Sequence, residues 1–279
     1  MPSYRHHYHA GNHADILKHL CLYQVLQYYL QKPKPFVYID THAGIGQYDL
    51  TAPPATLNQE YQSGIARLSA LNNHPDPIFN AFHTHITQHY RQNLYQGSSS
   101  LAAHLLRKID QLRLFERHPQ DFQHLKHNIT QQRPKTKALI QCQDGLEGLI
   151  ASLPPHSRRA VCLIDPSYEV KQDYHSVIDT LTQALKRFSQ GCYLLWYPHI
   201  SQPHAQNLPT QLKRFSHHNH LHASLNITKP HTQGLYGSSM FILNPPYTLP
   251  PFLENLLPQL SQTLAQDSHA NYQLTYHID

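Results

Sequence analysis

An aspartate, a proline and a tyrosine stand close together where a strongly apolar run ends. The run AVCLID (160–165) ends in Asp165 and is followed by Pro166, Ser167 and Tyr168. The Asp165 carboxylate and the Pro166 carbonyl can both accept a hydrogen bond from one exocyclic amine, and Tyr168 can stack on a planar base taken out of its helix. Two such acceptors orient the lone pair of the amine. The pattern therefore predicts transfer of a group onto that nitrogen by positioning, without a metal or a covalent intermediate.

A glycine-containing loop follows the first apolar run, FVYID (36–40). Asp40 ends this run, and Gly44 and Gly46 come soon after it. Glycines at this spacing let the backbone turn tightly and approach a ligand closely. Position 49 is aspartate where the dinucleotide-binding pattern has its third glycine, and no phosphate-binding lysine follows, which excludes a P-loop. A plain strand-to-helix turn also explains this loop.

Two further carboxylates end neighbouring predicted strands. Glu116 closes the second strand, where an acidic side chain can bind both hydroxyls of a ribose. An exposed charge paired with Arg117 is the alternative. Asp144 and Gly145 follow the third strand, and the Asp144 carboxylate can accept from an adenine amine. A simple turn aspartate is the better explanation of Asp144 when it is taken alone.

Apolar runs and helical periodicity alternate along the chain. The predicted strands are FVYID (36–40), LRLFE (112–116), ALIQ (138–141), AVCLID (160–165), CYLLWY (192–197), SMFILN (239–244) and, more weakly, LHASLNI (221–227). Helical periodicity marks residues 16–26, 122–129 and 174–185. The alternation predicts an α/β fold with a mostly parallel, twisted sheet of about seven strands and helices on both faces.

The first two strands are separated by about 70 residues, where a crossover needs only a dozen or more. We interpret residues 47–96 as a helical insertion, with helix-like segments at 60–71 and 78–92, inside a single domain of residues 1–279. The crossover helix is then predicted at 99–110, capped by the serines at 98–100. Residues 1–31 form an N-terminal segment and helix.

Taken together, the DxxxGxG loop, the acidic end of the second strand and the Asp-Pro-x-Tyr motif resemble the class I, Rossmann-like adenine-N6 methyltransferases. The whole chain is similar to the bacterial 23S rRNA adenine-N6 methyltransferase J family. The matching segments are SYRH (3–6), HAGNHAD (9–15), LKH (17–19), DTHAG (40–44), GS (97–98), SRR (157–159), IDP (164–166), YE (168–169), LWYP (195–198) and NPP (244–246).

This resemblance implies S-adenosylmethionine as cofactor, S-adenosylhomocysteine as product and no metal. It implies that cofactor contacts lie at His19, His42, Ser98, Glu116, Asp144, Gly145 and Asp165, to which the loop adds Gly44. It also implies a catalytic role for Asp165, beside which Pro166 and Tyr168 act. The expected substrate is an adenine N6 of 23S rRNA, protein-free or in an early assembly intermediate, methylated by a monomer.

The N-terminal block is the predicted RNA-binding segment. It interleaves basic groups with aromatic rings, as phosphate contacts and base stacking require, although a disordered polar terminus would look similar. The predicted RNA contacts are Tyr4, Arg5, His6 and Lys18, and the family resemblance also implies this role for Tyr4.

One position departs from the family pattern, which has a second proline where this chain has Ser167. Both acceptors, Asp165 and the Pro166 carbonyl, are retained. What is lost is the rigidity of a proline ring and its restriction of the preceding residue. We expect slower turnover at most, rather than inactivity.

A second candidate acceptor motif is Asn244-Pro245-Pro246-Tyr247. The cofactor loop leaves the first strand, and the acceptor motif should leave its sheet neighbour, the fourth strand. Because the second motif leaves the last predicted strand, far along the sheet, we interpret it as a structural turn.

Composition adds weaker constraints. Charged residues make up only 14% of the chain, which has 25 histidines and a formal charge of +5, and this suits a polyanionic partner. His9 and His13 are four residues apart and histidines cluster at 217–222, but no H-E-x-x-H motif or cysteine pair accompanies them. A zinc site is therefore not expected.

The polar N-terminus and the absence of a long apolar run predict a cytoplasmic protein without a membrane span. The four cysteines are expected to be buried, reduced thiols. Two other classes of function stay open: a catalytically silent RNA-binding protein, and a DNA adenine or protein glutamine methyltransferase with the same acceptor chemistry.

Overall fold

The computed structural model describes residues 5–71, 74–232 and 234–279. The helices are α1 (His13–Leu30), α2 (Pro53–Asn58), α3 (Ile65–Ser69), α4 (Pro77–Tyr90), α5 (Ser98–Leu105), α6 (Pro119–Gln132), α7 (Gly145–Ala151), α8 (Lys171–Arg187), α9 (Pro203–Leu212) and α10 (Leu249–Leu264). The strands are β1 (Val37–Asp40), β2 (Gln47–Asp49), β3 (Leu94–Gln96), β4 (Gln111–Phe115), β5 (Lys137–Gln141), β6 (Ala160–Ile164), β7 (Cys192–His199), β8 (His220–Asn226), β9 (Gly237–Leu243) and β10 (Asn271–His277).

The main sheet has the strand order β10-β8-β9-β7-β6-β1-β4-β5. The strand pairs that join β5, β4, β1, β6 and β7 are parallel. The strands β9, β8 and β10 continue the sheet beyond β7 through antiparallel pairs. Counted among themselves, the parallel strands follow the order 3-2-1-4-5 of doubly wound nucleotide-binding folds. The predicted α/β fold and mostly parallel sheet are confirmed. The order in which strands are added reverses between β1 and β6, which are themselves parallel, and such a switch point is where ligands bind in these folds.

The sheet of the described chain has eight strands rather than about seven, because β10 was not predicted. The sequence NYQLTYH of β10 is exposed along almost its whole length, and only Leu274 is half-buried. The strand lies at the edge of the sheet, where it pairs with β8 alone. Without a buried face it shows none of the apolar alternation that marks a strand in a sequence.

Residues 47–96 contain both helices and a small separate sheet. The strands β2 and β3 pair antiparallel at the start and end of this stretch. Helices α2, α3 and α4 lie between them. Helix α4 begins after Asp76, whose carboxylate accepts hydrogen bonds from the backbone N–H groups of Ile78 and Phe79. The first predicted helical segment is shorter than expected, since α3 covers only Ile65–Ser69.

The crossover helix α5 differs from its prediction in length and in the role of its serines. It ends at Leu105, because Leu106 already has an extended backbone. The serines do not cap the helix. The Ser98 hydroxyl donates to Asp40 at 2.7 Å and the Ser99 hydroxyl donates to the Ala43 carbonyl at 2.9 Å. They therefore tie the start of α5 to the end of β1.

The core has two parts, one on each face of the sheet. Helices α1 to α6 and α10 contribute the first, and α7, α8 and α9 contribute the second. Helix α1 is buried from His13 to Leu26, and Asn12 caps its start by accepting from the N–H groups of Ala14 and Asp15. Its amino end therefore reaches into the protein rather than into solvent. Within the described residues, no helix is both long and apolar enough to cross a membrane.

Candidate active site

A cavity of about 1000 Å³ opens at the carboxyl ends of the parallel strands. Its walls come from the amino end of α1 and from the loops that follow β1, β4, β5, β6 and β7. Its size lies at the upper end of the usual range for small-molecule sites, about 300–1,000 Å³. Every described residue predicted to contact the cofactor or to act in catalysis lines it: His19, His42, Gly44, Ser98, Glu116, Asp144, Gly145, Asp165, Pro166 and Tyr168.

Asp165 is held by a buried lysine from the other end of the chain. The Lys18 ammonium donates to Asp165 Oδ2 at 2.6 Å and lies 2.8 Å from Asp15 Oδ1. Burial alone would lower the pKa of Lys18, but the carboxylates of Asp15 and Asp165 raise it well above its usual range. Lys18 therefore stays protonated and fixes one oxygen of Asp165. The other oxygen is available to a substrate.

This position of Lys18 corrects its predicted role. An RNA-contacting lysine should be exposed, but Lys18 is 4% exposed and its charge is neutralised by two carboxylates. Lys18 therefore belongs to the candidate active site rather than to an exposed RNA-binding surface.

Of the other predicted RNA contacts, the structure places only His6 at the cavity. His6 lines the cavity and its Nε2 lies 2.9 Å from Asp15 Oδ2. Arg5 is exposed and donates to the Gln120 side chain at 2.9 Å. Tyr4 lies outside the described residues. Contact of Tyr4, Arg5 and His6 with RNA stays a prediction.

The ring of Tyr168 is buried in the protein, whereas the sequence predicted a ring that can stack on a base. Its ring is 4% exposed and lies 4.7 Å from the ring of Tyr174 and 6.1 Å from that of Trp196, measured between centroids. Its hydroxyl donates to the Trp196 carbonyl at 2.8 Å, and its φ of 54° is left-handed. In this conformation Tyr168 anchors the turn that carries Asp165. To stack on a base, the ring would have to present a larger face to the cavity.

The loop after β1 needs glycine at position 44 for two reasons. Gly44 has a φ of 58°, which favours glycine, and a Cβ there would lie 2.2 Å from the Tyr48 hydroxyl. Behind this loop the Asp40 carboxylate accepts from Tyr38 at 2.8 Å and from Ser98 at 2.7 Å. Burial raises the pKa of Asp40 to about 6, against the opposing effect of these two hydrogen bonds. Ser98 therefore braces the loop through Asp40.

Glu116 is oriented toward the cavity by two backbone groups. Its Oε2 accepts from Gly44 N–H at 3.1 Å and its Oε1 accepts from His118 N–H at 2.7 Å. Each oxygen retains a lone pair that can accept from a ribose hydroxyl. Burial raises the pKa of Glu116 to about 7, although both backbone hydrogen bonds oppose this.

Asp144 and Gly145 begin α7 next to the β1 loop. Asp144 Oδ1 caps the helix by accepting from Leu146 and Glu147, and Oδ2 lies 3.6 Å from an Arg117 nitrogen. The turn role that was considered for Asp144 is therefore present, and one oxygen remains at the cavity. A Cβ on Gly145 would lie 1.7 Å from the Thr41 carbonyl, so close packing of α7 against the β1 loop requires glycine.

Two neutral histidines complete the cavity wall. Burial lowers the pKa of His19 to about 3 and that of His42 to about 4. His19 Nδ1 lies 2.7 Å from the Tyr95 hydroxyl, whereas its buried Nε2 has no hydrogen-bond partner among the described residues. The Thr41 hydroxyl donates to the Leu163 carbonyl, so His42 Nδ1, 2.7 Å away, is the donor to Thr41. This tautomer leaves His42 Nε2 as an acceptor.

Asn244 lies at the amino ends of the parallel strands, whereas Asp165 lies at their carboxyl ends. Asn244 follows β9, which is next to β7 but antiparallel to it, so that Leu243 is paired with Tyr193 near the start of β7. Its side-chain amide donates to the carbonyls of Ser189 and Gly191 at 2.7 and 2.8 Å. The motif is a structural turn, as predicted. The expected reason was wrong: strand direction, rather than distance along the sheet, separates it from the site.

The sequence interpretation missed the contribution of Asp15 and the placement of Lys18. Asp15 is 1% exposed and accepts from Gly11 N–H as well as contacting His6 and Lys18. Two charged residues three positions apart inside an otherwise apolar helix were the available signal.

Cys142 is exposed, contrary to expectation, whereas the other three cysteines are buried. In the described part of the chain, no group of three or more His, Cys, Asp or Glu side chains is arranged to hold a metal ion.

Comparisons with known proteins identify the family of this chain. The family model described as ribosomal RNA large subunit methyltransferase D, RlmJ, matches residues 33–278. The chain is 34% identical to ribosomal RNA large subunit methyltransferase J of Haemophilus influenzae over 276 residues, covering 98% of this chain and 97% of that protein. It is 36% identical to the Escherichia coli protein of the same name over 269 residues, covering 95% and 94%.

A solved structure of a Legionella pneumophila protein superimposes with a TM-score of 0.86 at 30% identity, covering 96% of this chain and 98% of that one. The agreement in sequence and fold therefore extends over nearly the whole chain. The chain belongs to the RlmJ family of ribosomal RNA large subunit methyltransferases.

Proposed function

We propose that this protein transfers the methyl group of S-adenosylmethionine to the exocyclic N6 of an adenine in 23S ribosomal RNA. One observation carries the proposal. Asp165 and Pro166 leave β6 directly beside the glycine loop of β1, across the switch point of the sheet, and Lys18 fixes one Asp165 oxygen. The groups that can accept hydrogen bonds from an amine therefore line the same cavity as the nucleotide-binding loop.

The residues around the cavity fit S-adenosylmethionine, which supplies a methyl group on a positively charged sulfur. Carboxylates at Glu116, Asp144 and Asp165 line the cavity and suit a cation. Glu116 would hold the ribose hydroxyls, because backbone groups fix both of its oxygens from behind. The unpartnered Nε2 of His19 is a buried polar atom that a ligand would satisfy.

The acceptor amine would lie between the free oxygen of Asp165 and the carbonyl of Pro166. These two acceptors hold the two N–H groups and turn the nitrogen lone pair toward the methyl donor. After transfer, the nitrogen loses one proton, which Asp165 can take up and pass to solvent. Lys18 holds this carboxylate in place throughout.

The target is proposed from the relatives, which are named for the large ribosomal subunit RNA. An adenine in a duplex must leave the stack to reach a cavity of this depth. We further propose that a monomer in the cytoplasm acts on RNA that is protein-free or at an early stage of assembly. Light scattering of the protein and methylation of RNA with and without ribosomal proteins test these two points.

The decisive experiment measures the transfer of a tritiated methyl group from S-adenosylmethionine to RNA, DNA and protein in parallel. We expect label in 23S rRNA, which nucleoside analysis identifies as N6-methyladenosine. Label in DNA or in glutamine would transfer the same chemistry to another substrate. RNA binding without any label would make the protein a silent RNA binder.

A further inference from the structure

Exposed lysines and arginines gather where the chain enters four neighbouring parallel strands. The loops 31–36, 106–110, 133–136 and 152–159 lead into β1, β4, β5 and β6. Because these strands are parallel, the loops all lie at the edge of the sheet opposite the cavity. We call their exposed cations, with the first residue of β5, the basic edge: Lys32, Lys34, Lys108, Arg133, Lys135, Lys137 and Arg158.

Two arginines join three of these loops into one surface. Arg107 donates to the carbonyls of Lys32 and Lys34 at 2.8 and 3.1 Å. Arg159 donates to the Lys34 carbonyl at 2.6 Å, and its guanidinium lies 4.9 Å from the centroid of the Tyr29 ring. The hydrogen bonds of these two arginines hold the loops together, and the cations of the basic edge lie on the exposed surface of the same region. Adjacent strands are about 4.8 Å apart, so the four loops span roughly 15 Å.

Among the described residues, no carboxylate forms an ion pair with a cation of the basic edge. The four loops contain one acidic residue, Asp110, which is buried and bound by Arg107 at 2.9 Å. No other ion pair among the described residues involves the basic edge. The surface therefore carries an uncompensated positive charge.

Helix ends explain only part of this pattern. The carboxyl ends of helices carry partial negative charge and attract cations to the last turn, and Arg133 occupies such a position in α6. Lys34 and Lys108 lie beyond the ends of α1 and α5, at Leu30 and Leu105. Moreover, Arg133 and Arg158 have φ values of 48° and 53°, a conformation that favours glycine or asparagine. The chain keeps arginine there despite the backbone.

The cavity itself is poorly suited to attract phosphates. Its wall carries the carboxylates of Glu116, Asp144, Asp165 and Asp173, and Lys18 is neutralised by its partners. An acidic cavity favours a cationic cofactor and repels a phosphate backbone. Attraction for a large RNA has to come from another part of the surface.

We propose that the basic edge is a second RNA-binding surface, which contacts the phosphate backbone of 23S rRNA at a distance from the methylated adenine. The inference rests on the proposed function and adds a partner contact outside the active site. A five-residue strand rises about 16 Å, so the basic edge lies at least that far from the cavity. Only an RNA that folds around the protein reaches both places. The contact therefore selects large rRNA over a short stem-loop.

The test compares two quadruple variants at the same four positions, one without the positive charges and one with them. The first removes four cations: Lys34→Gln, Lys108→Gln, Lys135→Gln and Arg158→Gln. The second keeps them: Lys34→Arg, Lys108→Arg, Lys135→Arg and Arg158→Lys. Arg107 and Arg159 stay unchanged because they support the loops. Filter binding measures the affinity for full-length 23S rRNA transcript and for the shortest stem-loop that is methylated, each over a range of salt concentrations.

We expect the glutamine variant to bind full-length rRNA on the order of tenfold more weakly, with a shallower salt dependence, since each lost phosphate contact lowers the slope by about 0.7–0.9. Its affinity for the stem-loop and for S-adenosylmethionine, and its kcat on the stem-loop, should equal those of the parent. The charge-keeping variant should behave as the parent does.

Unchanged affinity for full-length rRNA in the glutamine variant would overturn the inference, as would an equal loss on both RNAs. An equal loss in the charge-keeping variant would show a structural effect and would overturn it as well. These outcomes leave the proposed function intact if the parent still methylates rRNA. A parent that neither binds nor methylates rRNA would refute both.

Discussion

The Lys18 ammonium lies 2.6 Å from an Asp165 carboxylate oxygen, although the two residues are 147 positions apart in the chain. Asp15 holds the same ammonium at 2.8 Å, so a positive charge is buried between two negative ones. One Asp165 oxygen is thereby already bound, and we propose that the other receives the amine of the substrate.

Lys18→Met should abolish most of the activity and destabilise the protein, because it leaves two buried carboxylates facing each other. Removing one partner of a buried ion pair costs about 3–5 kcal/mol. Urea unfolding and single-turnover methylation measure the two effects. The double variant Lys18→Met with Asp15→Asn removes the repulsion and should regain stability without regaining activity. Recovery of activity in the double variant would show that Lys18 only maintains the fold.

Glu116→Gln should weaken the binding of S-adenosylmethionine and remove its pH dependence near neutrality. In the parent, Glu116 titrates with a pKa of about 7, so affinity should fall as the pH drops through 7 and the carboxylate is lost. Loss of a charge-assisted hydrogen bond costs about 1.5–3 kcal/mol. Calorimetry at pH 6 and 8 measures this. Glu147→Gln, an exposed carboxylate on α7, is the matched control and should bind as the parent does.

Glu116→Gln should weaken cofactor binding but should raise the stability of the folded protein relative to the parent. The pKa of Glu116 is raised above its ordinary 4.5, so the folded state favours the protonated side chain. That contribution to stability is present at low pH and is lost as the pH rises toward about 7. Glutamine does not ionise, so the Tm of Glu116→Gln should rise relative to the parent across this window. A constant Tm difference from pH 4.5 to 8 would contradict the buried position of Glu116.

Ser167→Pro should be folded, slightly more stable and at least as active as the parent. Proline in place of serine stabilises a compatible position by about 0.4–1 kcal/mol through the unfolded state. The turn is already held by the Tyr168 hydroxyl, which donates to the Trp196 carbonyl, so added rigidity should not displace Asp165. Single-turnover methylation measures the chemical step. A tenfold slower transfer with unchanged cofactor binding would mean that the Ser167 side chain or N–H takes part.

The strands around the site could be predicted because burial and sequence pattern coincide there. The strands β1, β4 and β6 are apolar runs, and Asp40, Glu116 and Asp165 stand at or just beyond their carboxyl ends. These acidic residues could be assigned to one edge because parallel strands end at the same side of a sheet. The order of neighbours around β1 then followed from the α/β pattern.

Contacts between distant segments could not be predicted from spacing. Lys18 lies on a helix that precedes the first strand, and nothing local indicates that its ammonium reaches Asp165. Tyr168 shows a second limit, because its left-handed φ turns the ring into the core and only the backbone reveals this. The strand β10 shows a third, since an exposed edge strand lacks the apolar alternation on which strand prediction rests.

The central claim is that Asp165, rather than Asn244, receives the acceptor amine. Both residues begin motifs of the same type, but Asn244 lies at the opposite edge of the sheet and binds two backbone carbonyls. The direct measurement is the single-turnover rate of N6-methyladenosine formation in 23S rRNA by Asp165→Ala and Asn244→Ala, with cofactor binding checked in both. We predict no detectable methylation by folded, cofactor-binding Asp165→Ala and nearly parental methylation by Asn244→Ala. An active Asp165→Ala, or an inactive Asn244→Ala that still binds the cofactor, would contradict the account.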